Sequence, residues 1–314
     1  MKRPLIILTG PTAVGKTSLS LSLAKELDGE IVSADSMQVY RYMDIGTAKI
    51  REEERQGIPH HLIDVLDPWE DFNVVRFQKM ARKALEEIWE RGHIPIVTGG
   101  TGFYIQALLY DIHFTENNED SSLRKDLENY ARENGAEALH SRLAEVDEKA
   151  ASQIHFNNVK RVIRALEFYY QTGKKMSEHN EEERKRTSPY DFKYFVLNDE
   201  REHLYAGINR RVDLMMEEGL VEEVRKLKEM GCDSAMVSMQ GLGYKEILSH
   251  LEGEYTLDEA VYKIKRDTRH FAKRQITWFK RERDVIWLHK PDYDYDETKI
   301  REAVLSYYIT YRGK

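Results

Sequence analysis

Short apolar runs alternate with longer stretches whose apolar residues recur every three or four positions. Residues 5–9, 30–34, 94–98, 192–197 and 285–289 are the short runs, and each predicts a buried strand. The first, Leu5-Ile6-Ile7-Leu8, follows a basic Met1-Lys2-Arg3, but it is too short for a signal-peptide core and Thr9-Gly10-Pro11 breaks it at once. Between the second and third runs, Val74, Phe77, Met80, Ala81, Ala84, Leu85 and Ile88 fall at helical spacing, and Gly92 suits a C-terminal cap. Strands alternating with helices predict an α/β fold with a parallel sheet covered on both faces.

The rhythm breaks near Phe114. Residues 115–122 are polar and acidic, as a linker is, and residues 123–172 carry helical patterns only. In the last of these, Asn158 is a candidate cap and Val159, Val162, Ile163, Leu166 and Tyr169 share a face. The charge-dense residues 174–186 read as solvated and mobile. Strand character resumes at Phe192. The expected organisation is therefore an α/β core of residues 1–114 and 190–314, with C-terminal helices, interrupted by a helical insertion of residues 115–189. Thr256-Leu257-Asp258-Glu259 is a capping-box pattern that opens a long helix expected to end near Arg283. There is no internal repeat.

Composition sharpens this. A chain of 314 residues can bury a core without staples, and its single cysteine, Cys232, excludes a disulfide framework or a multi-cysteine zinc site. A reducing, cytoplasmic home is the default expectation. No stretch is long and apolar enough to span a bilayer. The net charge of -7 argues at first against a nucleic-acid partner.

Gly10-Pro11-Thr12-Ala13-Val14-Gly15-Lys16-Thr17 fits G-x-x-x-x-G-K-[ST], after a predicted strand and before a helix marked by Leu19, Leu23 and Leu27. Such a loop turns its N–H groups inward onto phosphate oxygens, and the helix N-terminus adds positive potential. Lys16 supplies a point charge and Thr17 a hydroxyl for Mg²⁺. The chemistry recognises a polyphosphate; a nucleotide or a pyrophosphate satisfies it equally. Asp35, in Ser33-Ala34-Asp35-Ser36-Met37-Gln38, follows the second strand and falls beside that loop. It is a Mg²⁺ ligand or general base, or else a cap or turn residue. Gly99-Gly100-Thr101-Gly102 after the third strand suits either close approach to a ligand or a tight turn. His60 and His61 are adjacent, point differently and read as structural. Arg211 borders the inner face formed by Leu204, Ile208, Val212 and Met215, as a phosphate clamp or as half of a surface ion pair.

The last long helix changes the meaning of the charge. Val261, Ile264, Phe271, Gln275, Trp278 and Phe279 form one stripe; Lys263, Arg266, His270, Lys273, Arg274, Lys280 and Arg281 form another, offset by two residues and so opposed. From Tyr262 to Arg283 there are nine Lys or Arg against Asp267 and Glu282, a local balance of +7. A single-sign face favours a phosphate backbone. Upstream, Gln240-Gly241-Leu242-Gly243-Tyr244-Lys245 offers an aromatic and a basic residue to an unstacked base or a backbone.

Together these blocks resemble the bacterial-type tRNA dimethylallyltransferases, also called tRNA isopentenyltransferases. Residues 10–17, 33–38, 44–49, 59–64 and 99–104, with Lys273-Arg274-Gln275-Ile276-Thr277-Trp278, carry the match across the whole chain. The resemblance implies a P-loop kinase-like core with a helical insertion, Mg²⁺, dimethylallyl pyrophosphate as donor and the anticodon stem-loop of tRNA as acceptor. It implies transfer to the exocyclic amine of the adenosine 3′ of the anticodon. In its terms, residues 10–17 hold pyrophosphate, Asp35 is the general base, Lys16, Thr17 and Arg211 complete the catalytic site, and Thr17 and Asp35 hold the metal. Asp35, Ser36, Met37, Gln38, Thr101, Lys160, Arg161, Arg164, Gln240, Tyr244, Lys245, Lys273, Arg274, Gln275, Trp278 and Lys280 sit where members touch tRNA. A monomer is expected. The competing expectation from the loop and insertion alone is an ATP-dependent small-molecule or nucleotide kinase.

Overall fold

The computed structural model describes residues 2–114 and 121–312. Strands β1 (Pro4–Thr9), β2 (Gly29–Ser33), β3 (His60–His61), β4 (Ile94–Gly99), β5 (Asp191–Asn198) and β6 (Val285–His289) form one parallel sheet in the order β3-β2-β4-β1-β5-β6. The five expected strands agree with these bounds to within one residue. The edge strand β3 was not expected, because two residues carry no detectable alternation. Helices α1 (Lys16–Leu27), α2 (Val74–Glu90) and α3 (Gly102–Leu109) lie in the first part of the chain. Helices α4 (Ser121–Asn134), α5 (Ala136–Val146), α6 (Glu148–Gln153), α7 (Val159–Thr172) and α8 (Met176–Arg184) follow. Then come α9 (Arg201–Glu217), α10 (Leu220–Glu229), α11 (Tyr244–Leu251), α12 (Leu257–Phe279) and α13 (Glu297–Arg312).

The chain divides into two compact units, Met1–Leu109 with Pro189–Lys314, and Tyr110–Ser188. In the first, Leu5, Ile6, Ile7 and Leu8 are all 0 % exposed, because helices cover both faces of the sheet. Ile6, Leu8, Ile31, Ile96, Phe195 and Leu197 pack on one side against Leu19, Leu23, Leu204 and Ile208. Helix α2 follows its sequence pattern: the Asn73 side chain accepts the Arg76 N–H, and Phe77, Ala81, Ala84, Leu85 and Ile88 are buried. Each such large side chain contributes about 1.5–3 kcal/mol on burial. Short of the edge strand β3, the strands taken in chain order run 2-3-1-4-5, the P-loop kinase-like arrangement. The connections leaving β1 and β4 head in opposite directions, so a crevice opens between their carboxyl ends.

The histidine pair is structural. His61 Nε2 lies 2.6 Å from the buried Glu30 carboxylate, which also accepts from Arg91 Nε (2.9 Å) and Nη2 (2.8 Å). His60 Nδ1 lies 2.8 Å from the Ile58 carbonyl. This network ties the edge strand to β2 and to the end of α2.

In the second unit, Leu139, Leu143, Val162, Ile163 and Leu166 form the core. Two expectations need adjusting here. Residues 174–186 are largely solvent-exposed, as expected, but α8 makes most of them helical. Buried Asp147 accepts the Ser177 N–H (2.9 Å) and hydroxyl (2.6 Å), and Met176 packs on the core. Asn158 stands at the start of α7, but its side chain makes no capping bond. The expected linker lies mostly outside the described residues, at 115–120. In the C-terminal part, the capping box of α12 forms as expected, with Thr256 N–H donating to Glu259 (2.9 Å). The helix stops at Phe279, however, before reaching Arg283.

Candidate active site

The loop between β1 and α1 is built for an anion. Gly10 has φ 149°, where a side chain is strained, and a Cβ there would meet the Leu197 carbonyl oxygen at 2.2 Å. Lys16 Nζ donates to the carbonyls of Gly10 (3.0 Å) and Pro11 (2.8 Å). Burial and then the neighbouring Arg211 bring its pKa down to about 7, with Asp35 acting in the opposite direction. Arg211, on α9, is half-buried and makes no ion pair or hydrogen bond among the described residues; desolvation lowers its pKa. The surface ion pair left open by the sequence is therefore not formed. Two desolvated basic side chains sit together with only the Asp35 carboxylate opposing their charge, which leaves room for a further anion. Thr17 is exposed at the start of α1.

Asp35 follows β2. Its Oδ1 accepts the Met37 N–H (2.8 Å) and, weakly, the Gln38 N–H (3.4 Å); Oδ2 makes no hydrogen bond among the described residues. Turn residue and candidate base are thus not alternatives, since one oxygen serves each. Asp35 is also close enough to Tyr104 to help burial raise that phenol. Gln38 is occupied: it accepts from Ser33 Oγ (3.0 Å) and donates to the Thr47 carbonyl (3.2 Å). Its amide braces the turn. Ser36 and Met37 remain half-buried at the crevice, as does Thr101 after β4.

The glycines after β4 admit protein rather than ligand. A Cβ on Gly100 would meet Gln275 Nε2 at 2.2 Å, and one on Gly102 would meet Trp278 Cδ1 at 2.2 Å. Gln275 is 5 % exposed; it accepts the Thr12 N–H (2.9 Å) and donates to the Gly100 carbonyl (2.9 Å). This corrects the expectation that it touches RNA, because both halves of its amide are engaged inside the protein. Trp278 is half-buried, edge-on to exposed Phe103 at 6.1 Å.

Tyr244 is a second correction. It is 0 % exposed, and its hydroxyl donates to Glu223 (2.6 Å), so its ring cannot stack on a base. The same Glu223 carboxylate accepts the N–H groups of Asp44 (2.9 Å), Ile45 (2.8 Å) and Gly46 (3.1 Å). The sequence reading missed Glu223, which looks like one acid among many on α10. Gln240 and Lys245 stay exposed.

The basic segment 263–281 is less free than its sequence suggests. Lys265 pairs with Asp213 (2.5 Å), Arg266 with Asp267 (2.8 Å), Arg269 donates to Asn209 (2.6 Å), and Lys263 lies over the Tyr255 ring. Lys273, Arg274, Lys280 and Arg281 are exposed and make no ion pair among the described residues. In the second unit Lys160 and Arg161 are exposed on α7, and Arg164 is half-buried with its pKa lowered by desolvation. Among the described residues no cluster of three His, Cys, Asp or Glu converges for a metal, and no helix is long and apolar enough to cross a membrane.

A P-loop α/β core with an anion cradle, a poised carboxylate and a basic helix beside it defines a transferase that handles a phosphorylated donor. Residues 38–282 match the family model for IPP transferase, and residues 3–65 that for isopentenyl transferase. The chain is 60 % identical over 302 residues to a tRNA dimethylallyltransferase of Lachnoclostridium phytofermentans, covering 96 % of each. It is 54 % identical to one of Acetivibrio thermocellus, covering 98 % of each. Among solved structures, the tRNA isopentenylpyrophosphate transferase of Bacillus halodurans aligns with TM-score 0.72 and 44 % identity, over 98 % of this chain and 96 % of that one. A eukaryotic dimethylallyltransferase acting on tRNA aligns with TM-score 0.80 and 33 % identity, over 91 % of this chain and 74 % of that one. The chain belongs to the IPP transferase family, whose curated relatives are tRNA dimethylallyltransferases. It is a transferase, and the kinase alternative is set aside.

Proposed function

We propose that the protein transfers the dimethylallyl group of dimethylallyl pyrophosphate to the exocyclic amine of the adenosine 3′ of the tRNA anticodon, giving isopentenyladenosine. The observation that carries this reading is the crevice itself. Two desolvated basic groups, Lys16 and Arg211, make no ion pair among the described residues and lie near a carboxylate with one unengaged oxygen, Asp35.

The amine lone pair is delocalised into the adenine ring, so the amine is a weak nucleophile. Asp35 Oδ2 accepts its proton as the new C–N bond forms at the allylic carbon. The C–O bond to pyrophosphate breaks, and its electron pair leaves on the pyrophosphate. Lys16, Arg211 and the loop N–H groups stabilise that charge. Exposed Thr17 and half-buried Asp35 offer hard oxygen donors that fit Mg²⁺ and would hold it; when bound, the ion would neutralise leaving-group charge. The adenine must leave its stack to reach this crevice. Ser36, Met37, Thr101, Gln240, Lys245, Lys273, Arg274, Trp278 and Lys280 contact the anticodon stem-loop, as do Lys160, Arg161 and Arg164 of the second unit. Gln38 and Tyr244 support that surface from beneath. The enzyme works as a monomer in the cytoplasm.

The test is incubation with labelled dimethylallyl pyrophosphate and unmodified tRNA. Label on the adenine amine is expected. Absence of transfer, or phosphorylated product formed from ATP without RNA, would overturn the reading.

A further inference from the structure

We infer that Gln275 is a positioning residue that locks the donor loop to the acceptor loop and so sets the width of the crevice. The inference rests on the prenyl-transfer reading above.

The phosphate loop leaves β1, and the Gly99–Thr101 segment leaves the neighbouring strand β4. The strands stay paired as far as Thr9 and Gly99, where Thr9 Oγ1 donates to the Gly99 carbonyl (2.6 Å), and only beyond that pair do the two segments part. Gln275 bridges them, accepting from the Thr12 N–H and donating to the Gly100 carbonyl, each at 2.9 Å. An amide can accept and donate from one rigid plane; a carboxylate cannot donate, and an apolar side chain does neither. A role in filling the core would not demand that chemistry. The absence of a Cβ at Gly100 is what lets the amide in, since Nε2 lies 2.2 Å from where that Cβ would stand. One turn on, Trp278 enters the space left by Gly102 in the same way. The inner stripe of α12 is therefore keyed into the acceptor loop, while Lys273 and Arg274 face out from the same turn. The Thr12 peptide, which shapes the phosphate cradle, is oriented by this helix rather than by the loop alone.

The test compares wild type with Gln275→Met and Gln275→Glu. The readouts are kcat, KM for each substrate, and calorimetric binding of inorganic pyrophosphate. In Gln275→Met, the donor KM and the pyrophosphate Kd are expected to rise about tenfold, with the tRNA KM within twofold of wild type. In Gln275→Glu, activity relative to wild type should recover as pH falls, because a protonated carboxyl again donates to Gly100 while accepting from Thr12. Gly100→Ala, which displaces the amide, should reproduce the donor defect and keeps the inference testable if Gln275→Met does not fold. Donor KM and pyrophosphate Kd within twofold of wild type in all variants overturn it. So does a raised tRNA KM with donor constants intact, which would make Gln275 an RNA contact. Pyrophosphate binding needs no RNA. Failure of wild type to prenylate tRNA would thus sink the proposed function while the role of Gln275 is still measured.

Discussion

Asp35 and Lys16 carry the sharpest expectations. Replacing Asp35 with Asn keeps an acceptor for the Met37 N–H but removes the proton acceptor. The kcat should fall by roughly 10²–10⁴, the usual contribution of a positioned base, with donor KM nearly unchanged. A kcat within tenfold of wild type would remove Asp35 from that role. Lys16 has a pKa of about 7 in the free protein, held down chiefly by burial and then by Arg211. Above that pH it is largely neutral, and binding an anion draws a proton onto it. Donor binding should therefore take up protons at pH 8, and affinity should weaken as pH rises through 7. Calorimetry in two buffers of different ionisation enthalpy measures the uptake, and an equal apparent enthalpy in both would contradict it.

Among the elements, β3 shows how a minimal strand is held. Two residues cannot hold an edge by ladder bonds alone, and the Glu30 network does the rest. Burial works against the charged Glu30, but its bonds to Arg91 and His61 outweigh this and keep its pKa below the usual carboxylate value. Its contribution is then fully present above the unfolded carboxylate pKa and is lost as pH falls through the folded one. Glu30→Ala should cost about 1.5–3 kcal/mol at neutral pH, because it removes charge-assisted hydrogen bonds to exposed Arg91 and half-buried His61. Denaturant titration should show that gap closing in acid; a constant gap would place the cost elsewhere. Helix α12 is the opposite case, long and unmistakable in sequence. Its face could be assigned from periodicity, but the partners of its charges could not.

The protein as a body carries -7, yet four unpaired basic residues gather on and just beyond the end of one helix. Surface charges farther apart than about 8 Å are screened at physiological salt, so RNA responds to that local face. Affinity for tRNA should fall steeply with salt despite the net negative charge. Replacing Lys273, Arg274, Lys280 and Arg281 one at a time by Ala should reduce the slope of log K against log salt by roughly 0.7–0.9 each. Donor KM should not change. A slope unaffected by all four would move the RNA surface elsewhere.

Sequence alone was enough for the strands, the phosphate loop, the candidate base and the family resemblance. Those features are local: period-two and period-3.6 burial, or fixed spacing within a few residues, follow from backbone geometry. Folding was needed to show that Gln275 and Tyr244 face inward and that Glu223 gathers three backbone N–H groups. It also showed that Lys265 and Arg269 are already engaged by Asp213 and Asn209 of α9, and that Met176–Arg184 form a helix. Each of these depends on a partner distant in the chain, 263 residues away for Thr12 and Gln275. A hydrogen bond or ion pair of that kind leaves no periodic trace, because its geometry is set by how strands and helices pack.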